Sequence, residues 1–345
     1  MPFHYFRSSF IVTFLGVLLG AGIGYYFGGT VAAAIEAAVT CFLLGLLELS
    51  ISFDNAVVNA TVLKNMSSVW RHRFMTWGML IAVFGMRFVF PLAIVSVAVR
   101  MNPWEALKLA ATSPKEYAEI MLSVHHEVAA FGGVFLLLVS LKYFFDGEKK
   151  IHWLGKIERF LVKMGRLEAA EMGFAIFILL GISYFVEPHE TLPFLKSGLL
   201  GILVFLLVEA ISVFLKAPQA TVQTIHKASV GMFIYLEVLD ASFSFDGVVG
   251  AFALTNNLFI ICIGLGIGAM FVRSLTIMMV EKSTLEQFRF LEHGAFYAVG
   301  CLAVIMFLNT IFNIPEIVTG LLGALIIAMS LISSLRYEKK HQRDL

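Results

Sequence analysis

Two short segments of the chain share a pattern of acids and serines. Residues 48–55 read Glu-Leu-Ser-Ile-Ser-Phe-Asp-Asn, and residues 240–247 read Asp-Ala-Ser-Phe-Ser-Phe-Asp-Gly. Position by position, both read acid-x-Ser-x-Ser-Phe-Asp-small. Carboxylate and carbonyl oxygens are the ligands that suit hard cations such as Mg²⁺, Ca²⁺ and Mn²⁺, and neither segment contains His or Cys. The pattern therefore predicts a hard-cation site built from two copies of one motif.

Both segments lie within long apolar stretches, where an ionised side chain is costly. An Asp at the centre of a membrane-spanning helix costs at least ~2.5–3.5 kcal/mol, so acids at such depth are interpreted first as functional groups. The five acids are Glu48, Asp54, Glu237, Asp240 and Asp246. Two arginines, Arg87 and Arg273, also lie inside predicted spans and are expected to face the interior and pair with acids or carbonyl groups. They cannot neutralise all five acids, so bound cations or protons are expected to balance the rest.

The spacing of the motif residues also predicts local backbone structure. On a straight α-helix, one stripe holds Glu48, Ser52, Asn55 and Asn59. At 100° per residue, Asp54 falls about 120° from Glu48, and Asp246 falls about 120° from Asp240. The same offset in both copies predicts that each helix is broken near Ser-x-Ser-Phe-Asp, because an unwound turn would bring both acids and free carbonyl groups together. The hydroxyls expected to support the site are those of Ser50, Ser52, Ser242 and Ser244.

The composition of the whole chain is typical of a membrane protein. Of its 345 residues, 59% are apolar and 14% are charged, and the mean hydropathy is +0.88. Soluble domains have roughly 45–50% apolar and ~25% charged residues. The net charge of +1 gives no indication of nucleic-acid binding, and the sequence contains neither a GxSxG motif nor a Gly-rich phosphate loop. We therefore predict an all-α polytopic membrane protein that is not an enzyme.

Ten segments are predicted as membrane spans, which need roughly 20 apolar residues each; the fifth is short. They are 9–30, 38–62, 74–99, 123–145, 172–187, 194–215, 228–254, 258–280, 291–312 and 315–335. With a cytoplasmic N-terminus, nineteen basic residues fall on the cytoplasmic side and four on the outer side. The positive-inside rule therefore predicts that both termini are cytoplasmic, in what we expect to be a bacterial inner (plasma) membrane. The alternative for the first segment is a signal peptide, since Arg7 precedes it.

The two motifs indicate an internal repeat. After each motif, the next span carries one of the two arginines, and the span after that opens with Glu and Phe four residues apart. The chain is therefore divided into two five-span halves, residues 1–190 and 191–345. Because five is odd, the second half enters the membrane inverted, which is an architecture of secondary transporters that bind substrate near the midplane. The alternative is a duplicated scaffold without a transport pathway.

Three further segments carry weaker signals. Residues 146–171 form the one strongly charged stretch, with apolar residues at helical spacing. They are predicted either as an amphipathic helix on the inner membrane surface or as a solvated linker helix. The outer loop 101–121 has no recognisable motif. The three glycines within residues 264–268 predict close packing between helices.

At its two motifs the chain resembles the TerC family of membrane proteins, within the wider LysE-type transporter superfamily. Residues 48–55 resemble the family's first-repeat pattern Glu-x-x-Leu-x-x-Asp-Asn, with Ile51 in the Leu position. Residues 237–246 resemble its second-repeat pattern Glu-x-x-Asp-x-x-Phe-x-x-Asp, and residues 266–273 are similar to its Gly-Ala-x-x-x-Arg span. After the last Asp, the family has Ser, an apolar residue and Pro, where this chain has Gly-Val-Val. The chain therefore looks like a divergent branch.

The resemblance, which covers roughly residues 40–100 and 225–310, implies a function. The family is associated with tellurium resistance and with the export of divalent metal, manganese above all. It implies metal efflux. Our first hypothesis is a secondary transporter that moves Mn²⁺, or alternatively Ca²⁺, out of the cytoplasm in exchange for protons, with no organic cofactor. By carry-over, the expected metal ligands are Glu48, Asp54, Asn55, Glu237, Asp240 and Asp246.

Two other functions remain open at this point. One is export of a small zwitterion such as an amino acid, whose carboxylate Arg87 or Arg273 would hold. The other is a non-transporting membrane assembly or metalation factor, which inserts other proteins or loads metal into them. A bound ion between the two Asp motifs would favour metal transport, and a packed, dry midplane would favour a scaffold.

Overall fold

The computed structural model describes residues 3–78, 80–167, 169–215, 222–312 and 314–341. Within these ranges, the structure describes the backbone but not the side chains of residues 215, 222–228, 245, 246, 316, 340 and 341. The described residues form helices, with no strand among them. In chain order the helices are α1 (Phe3–Gly28), α2 (Val31–Ile51), α3 (Phe53–Leu63), α4 (Ser68–Arg73), the π-helical segments π1 (Phe74–Gly78) and π2 (Ile81–Val89), α5 (Phe90–Ala98), α6 (Pro103–Thr112), α7 (Pro114–Ser123), α8 (His125–Phe145), α9 (Gly155–Met164), α10 (Ala170–Ser183), α11 (Pro188–Leu215), α12 (Val222–Ala251), α13 (Leu258–Glu281), α14 (Thr284–Gln287), α15 (Leu291–Asn309) and α16 (Glu316–His341).

Within the described residues, eight helical segments are long and apolar enough to cross a membrane, which confirms an all-helical membrane protein. They are Phe3–Gly28, Val31–Ile51, Ser68–Ala98, His125–Phe145, Pro188–Phe214, Leu258–Glu281, Leu291–Asn309 and Ile317–Lys339. Two of the ten predicted spans are helical but are not among these eight. Helix α10 has 14 residues, fewer than the roughly 20 that a span needs. Helix α12 has 30 residues and carries three acids in its second half.

The two motif segments fold differently. In the first, α2 ends at Ile51 and α3 begins at Phe53, with Ser52 between them at φ −94° and ψ 18°. The predicted break is therefore confirmed in the first copy. In the second copy the prediction is wrong, because α12 continues through residues 240–247 without interruption. A tertiary contact accompanies the difference: at the break, Gly320 of α16 packs so closely that an added Cβ would lie 3.4 Å from the Cα of Ile51.

The two motif helices run antiparallel to each other. Near one end of the contact, a Cβ added to Gly247 of α12 would lie 3.1 Å from a carboxylate oxygen of Glu48. Further along, the Nδ2 of Asn59 donates to the Oδ1 of Asp240 at 3.0 Å. The residue number rises from 48 to 59 on one helix while it falls from 247 to 240 on the other. The first and second motifs are therefore neighbours with opposite chain directions.

Glycines bring α13 against α2, as the sequence predicts. An added Cβ at Gly264 would lie 2.5 Å from the Cβ of Leu44, and one at Gly268 would lie 2.5 Å from the Cβ of Glu48. Small residues at these positions let two apolar helices approach closely, which is how helices associate without a hydrophobic driving force. The packing holds the first motif beside the helix that carries Arg273.

The two loop predictions have different outcomes. Residues 101–121, for which the sequence predicted no motif, contain α6 and most of α7. The start of α6 has a capping box in which Asn102 and Glu105 bond each other's backbone N–H groups, and this Asn-Pro-x-Glu signal was readable from the sequence. In residues 146–171 the amphipathic helix is confirmed as α9. Its Ile157 and Phe160 are exposed, which fits the membrane-surface interpretation.

Candidate functional site

A small cavity with polar and apolar lining lies between the two motif helices, π1, π2 and α13. Its volume is about 50 Å³, more than the roughly 10–15 Å³ that a cavity needs to hold one water. Side chains of both motifs and both intramembrane arginines line it. Its polar lining consists of Glu48, Ser52, Asn55, Asn59, Arg87, Asp240, Ser244, Arg273 and Thr276. We call this space the central cavity.

Glu48 is the buried acid of the first motif that reaches the central cavity. Only 3% of it is exposed, and its Oε1 forms an ion pair with the Nη2 of Arg87. The hydroxyl of Ser52 donates to the same oxygen at 2.9 Å. The other guanidinium nitrogen of Arg87, Nη1, donates to the carbonyl of Ala82 at 2.5 Å. Arg87 therefore has the interior orientation and the pairing predicted for both arginines, whereas Arg273 is half-buried and its Nε has no partner among the described residues.

Asp240 is the corresponding acid of the second motif. It is buried and accepts a hydrogen bond from Asn59, which is one turn beyond Asn55 on the first motif helix. Asn59 is on the stripe predicted from helical spacing, but it is not among the ligands predicted from the sequence. Glu237, one turn before Asp240, is also buried, and a Cβ added to Gly78 of π1 would lie 2.7 Å from its Oε1.

Several buried polar atoms around the central cavity have no hydrogen-bond partner within the part of the chain that the structure describes. Four are acceptor oxygens: Oε1 and Oε2 of Glu237, Oδ1 of Asn55 and Oδ1 of Asn59. Two are donors, the Nε atoms of Arg87 and Arg273, and the hydroxyl of Ser244 can act as either. Buried polar groups are almost always paired in folded proteins. The acceptor surplus therefore suits a ligand that offers positive charge.

Other predicted site residues lie apart from this cavity. Asp54 is buried, but its Oδ1 accepts from the backbone N–H of Asn55 at 2.9 Å, and its Oδ2 faces α16, 3.8 Å from where a Cβ on Gly323 would be. Ser50 is exposed and donates to the carbonyl of Leu46. Ser242 is buried and donates to the carbonyl of Val238. The side chain of Asp246 lies outside the described residues.

The described side chains do not form a ready-made metal centre. No three His, Cys, Asp or Glu residues among them are grouped so that they could hold a metal ion. Glu48 and Asp240 both line the central cavity, and the two arginines there offset their charge. Glu237 adds a further negative charge just outside the lining. In this structure the carboxylate of Glu48 is paired with Arg87.

Comparison with known proteins gives one match. A family described as "Protein of unknown function (DUF475)" matches residues 53–341. No curated protein matches the chain. No solved structure matches it.

Proposed function

The chain belongs to the DUF475 family of proteins of unknown function, and we propose that it is a secondary transporter that exports a divalent metal cation. Mn²⁺ is the first choice of substrate and Ca²⁺ the second. The observation that carries the proposal is the surplus of buried acceptor oxygens around the central cavity. A cation satisfies several such oxygens at once, whereas an uncharged ligand has to supply a donor for each.

The chemistry of these oxygens supports a hard cation. Carboxylate oxygens of Glu237, Glu48 and Asp240 and amide oxygens of Asn55 and Asn59 are the available donors. Oxygen ligands of this kind suit Mg²⁺, Ca²⁺ and Mn²⁺ rather than Zn²⁺ or Cu⁺. The resemblance of both motifs to the TerC family favours Mn²⁺ among these. The cation is a substrate in this proposal, not a resident cofactor.

The antiparallel motif helices support the inverted-repeat architecture. Two equivalent motifs that meet with opposite chain directions are what two inverted five-span halves would produce. In this proposal α10 and α12 also cross the membrane, which brings the number of spans to ten and divides the chain at about residue 190. Secondary transporters with inverted repeats place their substrate at the interface of the halves, and the central cavity has this position between the motifs.

Orientation and coupling complete the proposal. The distribution of basic residues supports cytoplasmic termini, and we place the protein in the inner membrane of a bacterium. Export of a divalent cation against its gradient requires an energy source, and exchange for protons supplies one. The buried acids can take up those protons once the cation has left, because an uncompensated buried charge is costly.

A second candidate is favoured by Arg273. This residue lines the same cavity, and its Nε has no partner among the described residues. Arg273 could hold the carboxylate of a small zwitterion such as an amino acid, while Asp240 holds the amine. The two candidates differ in the effect of neutralising Arg273, which abolishes binding of a zwitterion but removes a repulsive charge for a metal ion.

Manganese tolerance of cells tests the proposal. A manganese-sensitive bacterium that expresses the chain should grow in excess Mn²⁺ and contain less of it by elemental analysis. Asp240→Asn should lose this protection at normal expression, because a divalent cation is held largely by charged oxygen ligands. Ser50→Ala is the matched control, since this hydroxyl is exposed and bonds only within its own helix. Full protection by Asp240→Asn would instead favour an assembly or scaffold function.

A further inference from the structure

Arg87 occupies the carboxylate that an incoming cation would need. Its Nη2 pairs with Oε1 of Glu48, which also accepts from Ser52. Arg87 and Glu48 are both buried, with 6% and 3% exposed, so Arg87 and Ser52 are the close partners of this oxygen. Asp240 has a different direct partner, since its Oδ1 accepts from the neutral amide of Asn59 at 3.0 Å.

The backbone around Arg87 differs from that of the other described spans. Its span contains two π-helical segments, and Arg87 lies in the second. π-helical turns are rare in proteins, and those that occur are often found at functional sites. Return of π2 to α-helical geometry would change which residues face the cavity, because a shift of one residue rotates a side chain by about 100°.

Arg87 is attached to the protein through its backbone as well as through its guanidinium. The thiol of Cys262 on α13 donates to the carbonyl of Arg87 at 2.9 Å. The guanidinium pairs with Glu48 through Nη2 and donates from Nη1 to the carbonyl of Ala82, while its Nε has no partner among the described residues. The bond to α13 does not involve the guanidinium, so a change of partner at Nη2 leaves the backbone attachment intact.

From these contacts, and resting on the proposed function, we infer that Arg87 is a tethered counter-cation. It neutralises Glu48 when no metal is bound, leaves when the metal binds, and returns when the metal is released. Glu48 is then never left as a bare buried charge, which would be strongly destabilising. Arg87 thereby competes with the substrate and speeds its release, which makes it a positioning residue and not a ligand.

Binding and transport by Arg87→Gln test the inference. The full chain is purified in detergent, its affinity for Mn²⁺ is measured by calorimetry, and Mn²⁺ flux is measured after reconstitution in vesicles. If Arg87 blocks the site about 90% of the time, its removal should tighten Mn²⁺ binding about tenfold, while flux falls because release slows. Arg166→Gln, at an exposed arginine outside the described spans, should change neither quantity.

The outcomes separate this inference from the proposed function. Weaker or unchanged binding by folded Arg87→Gln would overturn the inference, while binding by the wild type would still support a metal transporter. Absence of Mn²⁺ binding by the wild type would overturn both.

A measurement on the wild type covers the case in which the variant does not fold. Phenylglyoxal modification of Arg87, followed by peptide mass spectrometry, should become faster when Mn²⁺ is added, because the guanidinium is released from Glu48. Slower or unchanged modification at saturating Mn²⁺ would overturn the inference.

Discussion

Buried carboxylates in two regions of the molecule have opposite surroundings. Glu158 of α9 is fully buried and accepts hydrogen bonds from the backbone N–H groups of Trp153 and Leu154, both at 3.1 Å. The charged and polar side chains around it are Lys149, His152, His293 and Tyr297, which together with Glu158 we call the loop cluster. Glu237, beside the central cavity, is 8% exposed, and neither of its carboxylate oxygens has a partner among the described residues.

This contrast separates a structural acid from a functional one. A buried charge that is paired and hydrogen-bonded is stable where it is. Burial alone would raise the pKa of Glu158, but the N–H of Leu154 and the nearby Lys149 outweigh that effect and hold the pKa below its ordinary value. A buried carboxylate with no partner is a cost to folding, and such a cost is expected where a ligand binds. The loop cluster therefore has the surroundings of a structural site, and the central cavity has those expected for the transport function proposed above.

Removal of the charge at Glu158 should have the largest effect on folding. Glu158→Gln leaves Lys149 partly buried without its acid, and loss of one partner of a buried ion pair costs about 3–5 kcal/mol. The free energy of unfolding in detergent, followed by circular dichroism, measures this loss. The exposed Glu148 is the matched control, and Glu148→Gln should be neutral. Equal stabilities of the two variants would remove the structural assignment of the loop cluster.

Substitution of Gly268 should have the next largest effect, because it acts on the first motif through packing. A Cβ there would lie 2.5 Å from the Cβ of Glu48 and 2.7 Å from the carbonyl oxygen of Gly45. Overpacking of this kind costs about 1–3 kcal/mol, so Gly268→Ala should lower stability and also displace Glu48 from Arg87. Gly181→Ala, where an added Cβ meets nothing within 4 Å, is the control. Normal stability and Mn²⁺ flux for Gly268→Ala would contradict the close packing of α2 and α13.

Neutralising Glu237 should have the opposite effects to those expected at Glu158: little change in stability and a loss of Mn²⁺ affinity. Because both oxygens lack partners, Glu237→Gln should change stability by less than about 1 kcal/mol, or raise it. Its affinity for Mn²⁺ should nevertheless fall, since a charged oxygen ligand is lost. Unfolding and calorimetry on the same preparation measure both quantities. A large loss of stability with normal Mn²⁺ affinity would mean that Glu237 is a structural acid like Glu158.

The smallest expected effect is that of pH on the stability that the loop cluster contributes. The pKa of Glu158 is lower in the folded protein than in the unfolded chain, so its contribution to stability is present above the unfolded value of about 4.3. It is lost as the pH falls through the lowered folded value. The stability difference between wild type and Glu158→Gln should therefore persist from pH 7 to about pH 5 and shrink below it. A difference that already disappears at pH 6 would show that Glu158 is not stabilised as an anion.

Burial disfavours the charged form of Lys149 and therefore lowers its pKa to about 8. Between about pH 8 and the unfolded value of about 10.4, the folded protein therefore binds fewer protons than the unfolded chain. Stability from this group should rise with pH in that window. Lys149→Gln should remove the rise when unfolding is measured from pH 7 to pH 10, and a rise that persists in this variant has another source.

Hydropathy and motif spacing predicted much of the fold and the main polar positions. Apolar runs identified the helices because a lipid-exposed backbone has to bond within its own segment. Helical spacing placed Glu48 and Asn55 on the stripe that faces the cavity. Spacing alone could not predict that Asp54 faces α16, because that direction depends on a tertiary contact near Gly323. The prediction of a break in α12 was wrong because it assumed that both acids of each motif face the same site.

Metal flux through the purified protein tests the central claim most directly. Vesicles that contain the full chain and an internal Mn²⁺-sensitive dye should show Mn²⁺ movement down its gradient, accompanied by opposite movement of protons. Asp240→Asn should abolish the flux, and Ser50→Ala should retain it. If vesicles with folded, inserted wild-type protein take up Mn²⁺ and Ca²⁺ no faster than empty vesicles, the central cavity is not a cation transport site.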